Sequence, residues 1–102
     1  MARTSEKAKL VFREKLTLKS GRLRDAVIWR VHVSDRYPDG VKYRLALVDP
    51  FTGKVLILFD NHFPKGHHRH LKTGEESSYH FESVRKLVDD YLKAIEDEEA
   101  ES

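Results

Sequence analysis

Residues 41–60 read VKYRLALVDPFTGKVLILFD, and this stretch decides the fold. Val41, Tyr43, Leu45 and Leu47 alternate with Lys42, Arg44, Ala46 and Val48. Successive side chains of a strand point to opposite faces, so the alternation describes a strand with one buried and one charged face. Asp49-Pro50-Phe51-Thr52-Gly53 follows, rich in residues that reverse a chain. Residues 55–59 (VLILF) are apolar on both faces, as expected of the most buried strand of a sheet. Two strands joined by so short a link must pair antiparallel.

Two further strands precede this pair. Residues 23–33 place Val27, Trp29, Val31 and Val33 on one face and Ala26, Ile28, Arg30 and His32 on the other. The loop that leads out of it, residues 34–40, contains the turn sequence Pro38-Asp39-Gly40. Before it, Leu10, Phe12, Leu16 and Leu18 alternate with more polar neighbours, interrupted at Glu14. Lys19-Ser20-Gly21-Arg22 reads as the hairpin turn between these strands. After the central pair, residues 68–71 and 78–81 can pair as short strands across Lys72-Thr73-Gly74. Val84, Leu87, Val88, Tyr91, Leu92 and Ile95 then recur at the spacing of one stripe of an α-helix, with Ser83 as its N-cap.

The expected fold is α+β: a single, mainly antiparallel β-sheet of about five strands in meander order, with the C-terminal α-helix packed on one face. The helix is expected to cover the faces bearing Trp29, Tyr43, Leu45 and Ile57. The opposite face then carries Arg13, Lys15, Arg30, His32, Lys42 and Arg44. A slip of one residue in any strand would exchange its two faces.

The chain of 102 residues fits one domain, with residues 1–8 and 97–102 expected to fray. It has no cysteine, which excludes disulfides and thiolate chemistry. It shows no secretory h-region and no apolar run of membrane-spanning length, so a cytoplasmic location is expected. The net charge of +2 hides an asymmetry. Residues 1–30 hold nine Lys/Arg against three acids, whereas residues 81–102 hold three against eight. The basic half suits a polyanion such as RNA.

Five of the six histidines fall in residues 60–81, DNHFPKGHHRHLKTGEESSYHF. An imidazole titrates near neutrality, so two of them can serve as base and acid on a phosphodiester. A neighbouring cation can stabilise the charge that develops on the phosphoryl group. His68, His70, Arg69 and Lys65 supply these parts. In an extended segment His68 and His70 share a face and Arg69 takes the other. Lys65-Gly66 allows close approach of the backbone to an anion. Arg30, Lys42, Arg44 and Asn61 are the further candidates for contacting substrate, and Tyr37 is placed to stack on a base. Glu75 and Glu76 read as a solvated hairpin tip or as partners that orient a histidine. The spacing His62-x4-His67-His68-x-His70-x9-His80 matches no zinc pattern, and Lys65 and Arg69 would repel a dication, so neither a metal nor another cofactor is expected.

The runs RLALVD, LFDN, KGHHRHL and GEESSYHF, followed by an L-x-x-D-Y-L helix, resemble the TumE family, the toxin component of a type II toxin–antitoxin pair. The resemblance covers about residues 29–92. Carried over by position, it implies Lys65, Gly66, His68, Arg69 and His70 as functional residues, with Glu75, Tyr79 and Phe81 as scaffold. The family often has Asp where this chain has His67, so the resemblance gives His67 no role. It further implies a small cytosolic protein paired with a cognate DNA-binding antitoxin. The expected function is that of a toxin acting on RNA or translation, with a metal-independent, histidine-based ribonuclease as the mechanism. The alternatives are a non-catalytic module that binds nucleic acid or protein, and a His-metal hydrolase.

Overall fold

A computed structural model describes residues 8–71 and 74–101. Their strands are β1 (Lys9–Thr17), β2 (Leu23–Arg30), β3 (Val41–Asp49), β4 (Lys54–Asp60), β5 (His68–His70) and β6 (Glu76–Ser78), followed by helix α1 (Val84–Glu101). All neighbours pair antiparallel in the order β1-β2-β3-β4-β5-β6. The α+β meander is therefore as the alternation indicated, with six strands rather than about five. The sixth is Glu76–Ser78, two residues before the expected segment, and part of the turn expected before it, Lys72-Thr73, lies outside the described residues. Residues 1–7 and 102, where fraying was expected, also lie outside them.

The central turn forms as its residues require. The Phe51 N–H donates to Asp49 Oδ1 (2.9 Å) and the Gly53 N–H to the Asp49 carbonyl (2.8 Å). Gly53 has φ 76°, a conformation that costs glycine little and other residues more.

Strand register divides the sheet into two faces. Ile28 pairs with Tyr43, Ala26 with Leu45, Leu45 with Phe59 and Leu47 with Ile57. These residues are all buried, and they form the face that the helix covers. Leu87, Tyr91 and Ile95 close over it. Burial of each such side chain contributes about 1.5–3 kcal/mol before entropy is counted. The Tyr91 hydroxyl donates to the Ala46 carbonyl (2.7 Å), which satisfies a polar group in an otherwise apolar contact.

Two expectations of facing are corrected here. In β2 the core residues are Ala26 and Ile28, while Trp29 pairs with Lys42 and Val27 with Arg44. The expected face of β2 was thus inverted: Trp29 lies on the charged side, and Arg30, paired with Val41, lies on the other. Alternation within β2 offers two faces of similar apolarity, and only pairing with β3 selects between them. The strand also ends at Arg30, because the chain leaves the ladder after the Val31 N–H donates to the Gly40 carbonyl (2.9 Å). In α1, Leu92 is exposed, and the buried stripe runs through Glu98 instead. Leu92 stands about 100° round the helix from Tyr91, which carries it off the contact.

The helix is fixed at both ends. Ser83 Oγ accepts from the Lys86 N–H (3.1 Å), as an N-cap should. Near its other end, Arg22 of the β1–β2 turn reaches Glu99 (2.9 Å) and the buried Glu98 (3.7 Å). Among the described residues, no helix is long and apolar enough to cross a membrane.

Candidate functional site

The site is built on the β5–β6 hairpin, at the end of the sheet. β5 is only three residues long, so its alternation is simple: His68 and His70 point away from the helix, and Arg69 points towards it. Pairing confirms this, since His68 sits opposite Asp60, His70 opposite Leu58, and Arg69 opposite the core residue Phe59. On β6, Glu76 pairs with His70 and Ser78 with His68.

Glu76 is the hub. One of its oxygens, Oε2, lies 3.3 Å from His70 Nε2 and 3.6 Å from His68 Nε2. The same oxygen accepts from Lys65 Nζ. That hydrogen bond from Lys65 is the main reason its carboxyl is held below the ordinary value; partial burial opposes it, and the charges of Lys65, His70 and His68 reinforce it. The two imidazole rings meet edge to face, with centroids 5.8 Å apart. His68 is buried, and its Nδ1 lies 2.9 Å from the Gly66 carbonyl. A carbonyl only accepts, so Nδ1 carries the proton and Nε2 is turned towards Glu76. His70 is more open to solvent, with 38% of its side chain exposed. The approach to β5 is a tight one: Phe63–Pro64 is cis, and Gly66 has φ 74°. Gly66 thereby presents the carbonyl that orients His68.

The remaining candidates divide by face. Lys42 and Arg44 are exposed on the same open face as the histidines, in register with Trp29, Val27 and, for Arg44, Asp60. One row of paired residues runs across the whole sheet: Arg13, Val27, Arg44, Asp60, His68 and Ser78. Trp29, Lys42, Arg44 and His62 surround a depression of about 150 Å³ on this face. Tyr37 lies beside it, with Lys42 Nζ 6.0 Å from its ring. Arg30 does not belong to this group, for the reason of register given above.

Arg69 is separated from the two histidines by the thickness of the sheet. It lines a cleft of about 810 Å³ between the β5–β6 hairpin and α1, together with Tyr79, Lys86 and Asp90. Its Nε is buried there without a hydrogen-bond partner. In the cleft, the Tyr79 hydroxyl donates to Asp90 (2.5 Å). Burial pushes the Asp90 carboxyl up, but the bonds from Tyr79 and Lys86, with the charges of Lys86 and Arg69, outweigh it and hold Asp90 below its ordinary value.

Asn61 is 4% exposed and behaves as an extension of the ladder. Its Oδ1 accepts from the Tyr43 N–H (2.9 Å), and its Nδ2 donates to the Val41 carbonyl (2.8 Å). Its side chain is committed to the backbone of β3. His67 is likewise tied to the scaffold. Its ring stacks on Phe81, with centroids 4.8 Å apart and planes 6° from parallel. Tyr43 Oη lies 2.9 Å from Nδ1, and Asp39 Oδ2 lies 2.8 Å from Nε2. Burial, then the charges of Tyr79, Asp60 and Asp39, push the Tyr43 hydroxyl far above its ordinary value. It therefore stays protonated and donates to His67, whose Nε2–H donates to Asp39.

Sequence reasoning placed both histidines, Lys65 and Gly66 together. It offered Glu76 as a histidine partner only beside the reading of a solvated hairpin tip, and it did not bring Trp29 to the basic face. Glu76 follows His70 by six residues, and only a hairpin in this register closes that distance. Among the described residues, His68, His70 and Glu76 also form the group able to hold a metal ion.

Against known proteins, the chain matches the family model described as "Toxin TumE" over residues 2–99. No curated protein and no solved structure gives a significant match. The match spans nearly the whole chain, including every strand and almost all of the helix, and the chain belongs to the TumE toxin family.

Proposed function

We propose that this toxin acts on RNA, with His68 and His70 as an acid–base pair that needs no metal. The observation that carries the reading is the convergence of both Nε2 atoms on one carboxylate oxygen, on a sheet face that also bears Arg13, Lys42 and Arg44. One imidazole takes the proton of a ribose 2′-OH as that oxygen attacks phosphorus. The other gives its proton to the departing 5′-oxygen as the P–O bond breaks, leaving a 2′,3′-cyclic phosphate. The Gly66 carbonyl holds the ring of His68, Glu76 holds that of His70, and Lys65 supplies positive charge for the phosphoryl oxygens. Arg13, Lys42 and Arg44 follow the backbone, and Trp29 offers a surface on which a base can stack. Arg69 acts from the far side, as a support for β5. The toxin would work in the cytoplasm, opposite a cognate DNA-binding antitoxin, as its family membership suggests.

The purified protein should cleave single-stranded RNA in chelator and leave cyclic phosphate ends. Absence of cleavage at every pH between about 5 and 8 would remove the enzymatic reading. A module that only binds RNA is favoured by the basic face with Trp29, and it would then stand. In either case Arg44→Ala should weaken binding and flatten its salt dependence, by roughly 0.7 in the slope of log K against log salt. Arg30→Ala, on the other face, should change neither.

A further inference from the structure

The geometry points to a binding site for a divalent transition ion of the zinc class, held by His68, His70 and Glu76. Their three donor atoms lie within 4.8 Å of one another. Bonds of about 2.0–2.2 Å to a tetrahedral ion put neighbouring donors roughly 3.4 Å apart. The separations from Glu76 Oε2 to His68 Nε2 and His70 Nε2, 3.6 and 3.3 Å, already bracket that value. The second observation is the hydrogen bond between His68 Nδ1 and the Gly66 carbonyl (2.9 Å). It fixes the tautomer that aims a lone pair from Nε2 into the cluster, which is what an outer partner of a metal-bound histidine does. The donor set is two imidazoles and one carboxylate, which suits zinc, cobalt, nickel or iron and not magnesium.

Two features of the sequence argued against a metal, and the fold answers both. The histidine spacing is irregular because the third ligand comes from the neighbouring strand, where Glu76 pairs with His70. Of the two flanking cations, Arg69 faces the opposite side of the sheet. Lys65 does pair with Glu76, through the carboxylate oxygen a dication would need. It acts as a built-in competitor, and the ion must displace it. Three protein ligands leave a fourth position for water or an anion. The ion would also occupy the Nε2 atoms on which the proposed proton transfers rely. Zinc would thus inhibit the toxin, a consequence that rests on the acid–base reading, whereas binding itself does not.

The test uses untagged protein stripped with chelator and titrated with Zn²⁺ by calorimetry and with Co²⁺ by visible absorption, without RNA. One ion per chain should bind, and Mg²⁺ should not compete. His70→Gln and Glu76→Gln should each weaken binding by about tenfold or more, since even an outer partner is worth 10–100-fold. Lys65→Gln should tighten it. His62→Ala and His80→Ala, at exposed histidines outside the cluster, should leave it unchanged. Circular dichroism of each variant separates lost binding from lost fold. Undetectable binding, binding indifferent to Glu76→Gln in a folded variant, or binding lost with His62 or His80 would overturn the site. An RNA assay with and without zinc then bears on the other claim. Zinc-dependent activation would discard the acid–base reading and keep the metal site, and inhibition would support both.

Discussion

At the scale of single residues, the same chemical type serves different ends according to which side of a strand it leaves. His67 and His68 are adjacent, yet one is stacked on Phe81 and bonded to Tyr43, and the other faces Glu76 on the open side. Asn61 resembles a turn residue in the sequence but replaces a stretch of ladder for Tyr43 and Val41. Asn61→Ala should therefore destabilise the fold, by roughly 1–3 kcal/mol for each backbone group left unpaired. Urea denaturation would read this loss, and a change under about 0.5 kcal/mol, the level of an ordinary surface substitution, would show that water replaces the amide. The histidine pair was legible because a period of two fixes which residues of HRH share a face. The choice of Glu76 over Glu75, and of a histidine partner over a solvated tip, was not, because it depends on hairpin register, which a polar three-residue strand encodes weakly.

At the scale of elements, β3 could be read from its apolar alternation, β4 from an unbroken apolar run, and α1 from its helical stripe except at Leu92. β2 could not be oriented. Its two faces, Ala26 with Ile28 and Val27 with Trp29, differ little in hydrophobicity, and the partner strand decides. The contact between the β5–β6 hairpin and α1 makes a further prediction. Asp90 has a depressed folded pKa, the bond from Tyr79 and the contacts from Lys86 outweighing burial. Such a group contributes stability that is present above its unfolded value, about 3.9, and lost as pH falls through that value towards the folded one. Tyr79→Phe should cost up to about 1.5–3 kcal/mol near pH 6, the range for a bond to a charged group. The gap between variant and parent should narrow as pH falls below the unfolded value, about 3.9, and Asp90 takes up its proton. Unfolding free energies across this range would check it, and the absence of a gap at every pH would mean that Tyr79 acts by packing alone, through the edge contact with Phe59 that phenylalanine keeps.

At the scale of the molecule, the helix and the histidines lie on opposite faces of one sheet. The covered face holds the core, and the open face is left to charge: Arg13, Lys42 and Arg44 beside Trp29, with the histidine cluster at one end. The division lets the site be altered without touching the core. His70 is part-exposed and contacts Glu76 and His68, so its removal should spare the fold. The most direct test is the rate of RNA cleavage by His70→Ala in chelator, beside the parent and Arg30→Ala. Loss of a proton-transfer group should lower the rate roughly 10²–10⁴-fold with the fold and RNA binding intact, while Arg30→Ala should cleave like the parent. Cleavage by folded His70→Ala at the parental rate would contradict the account.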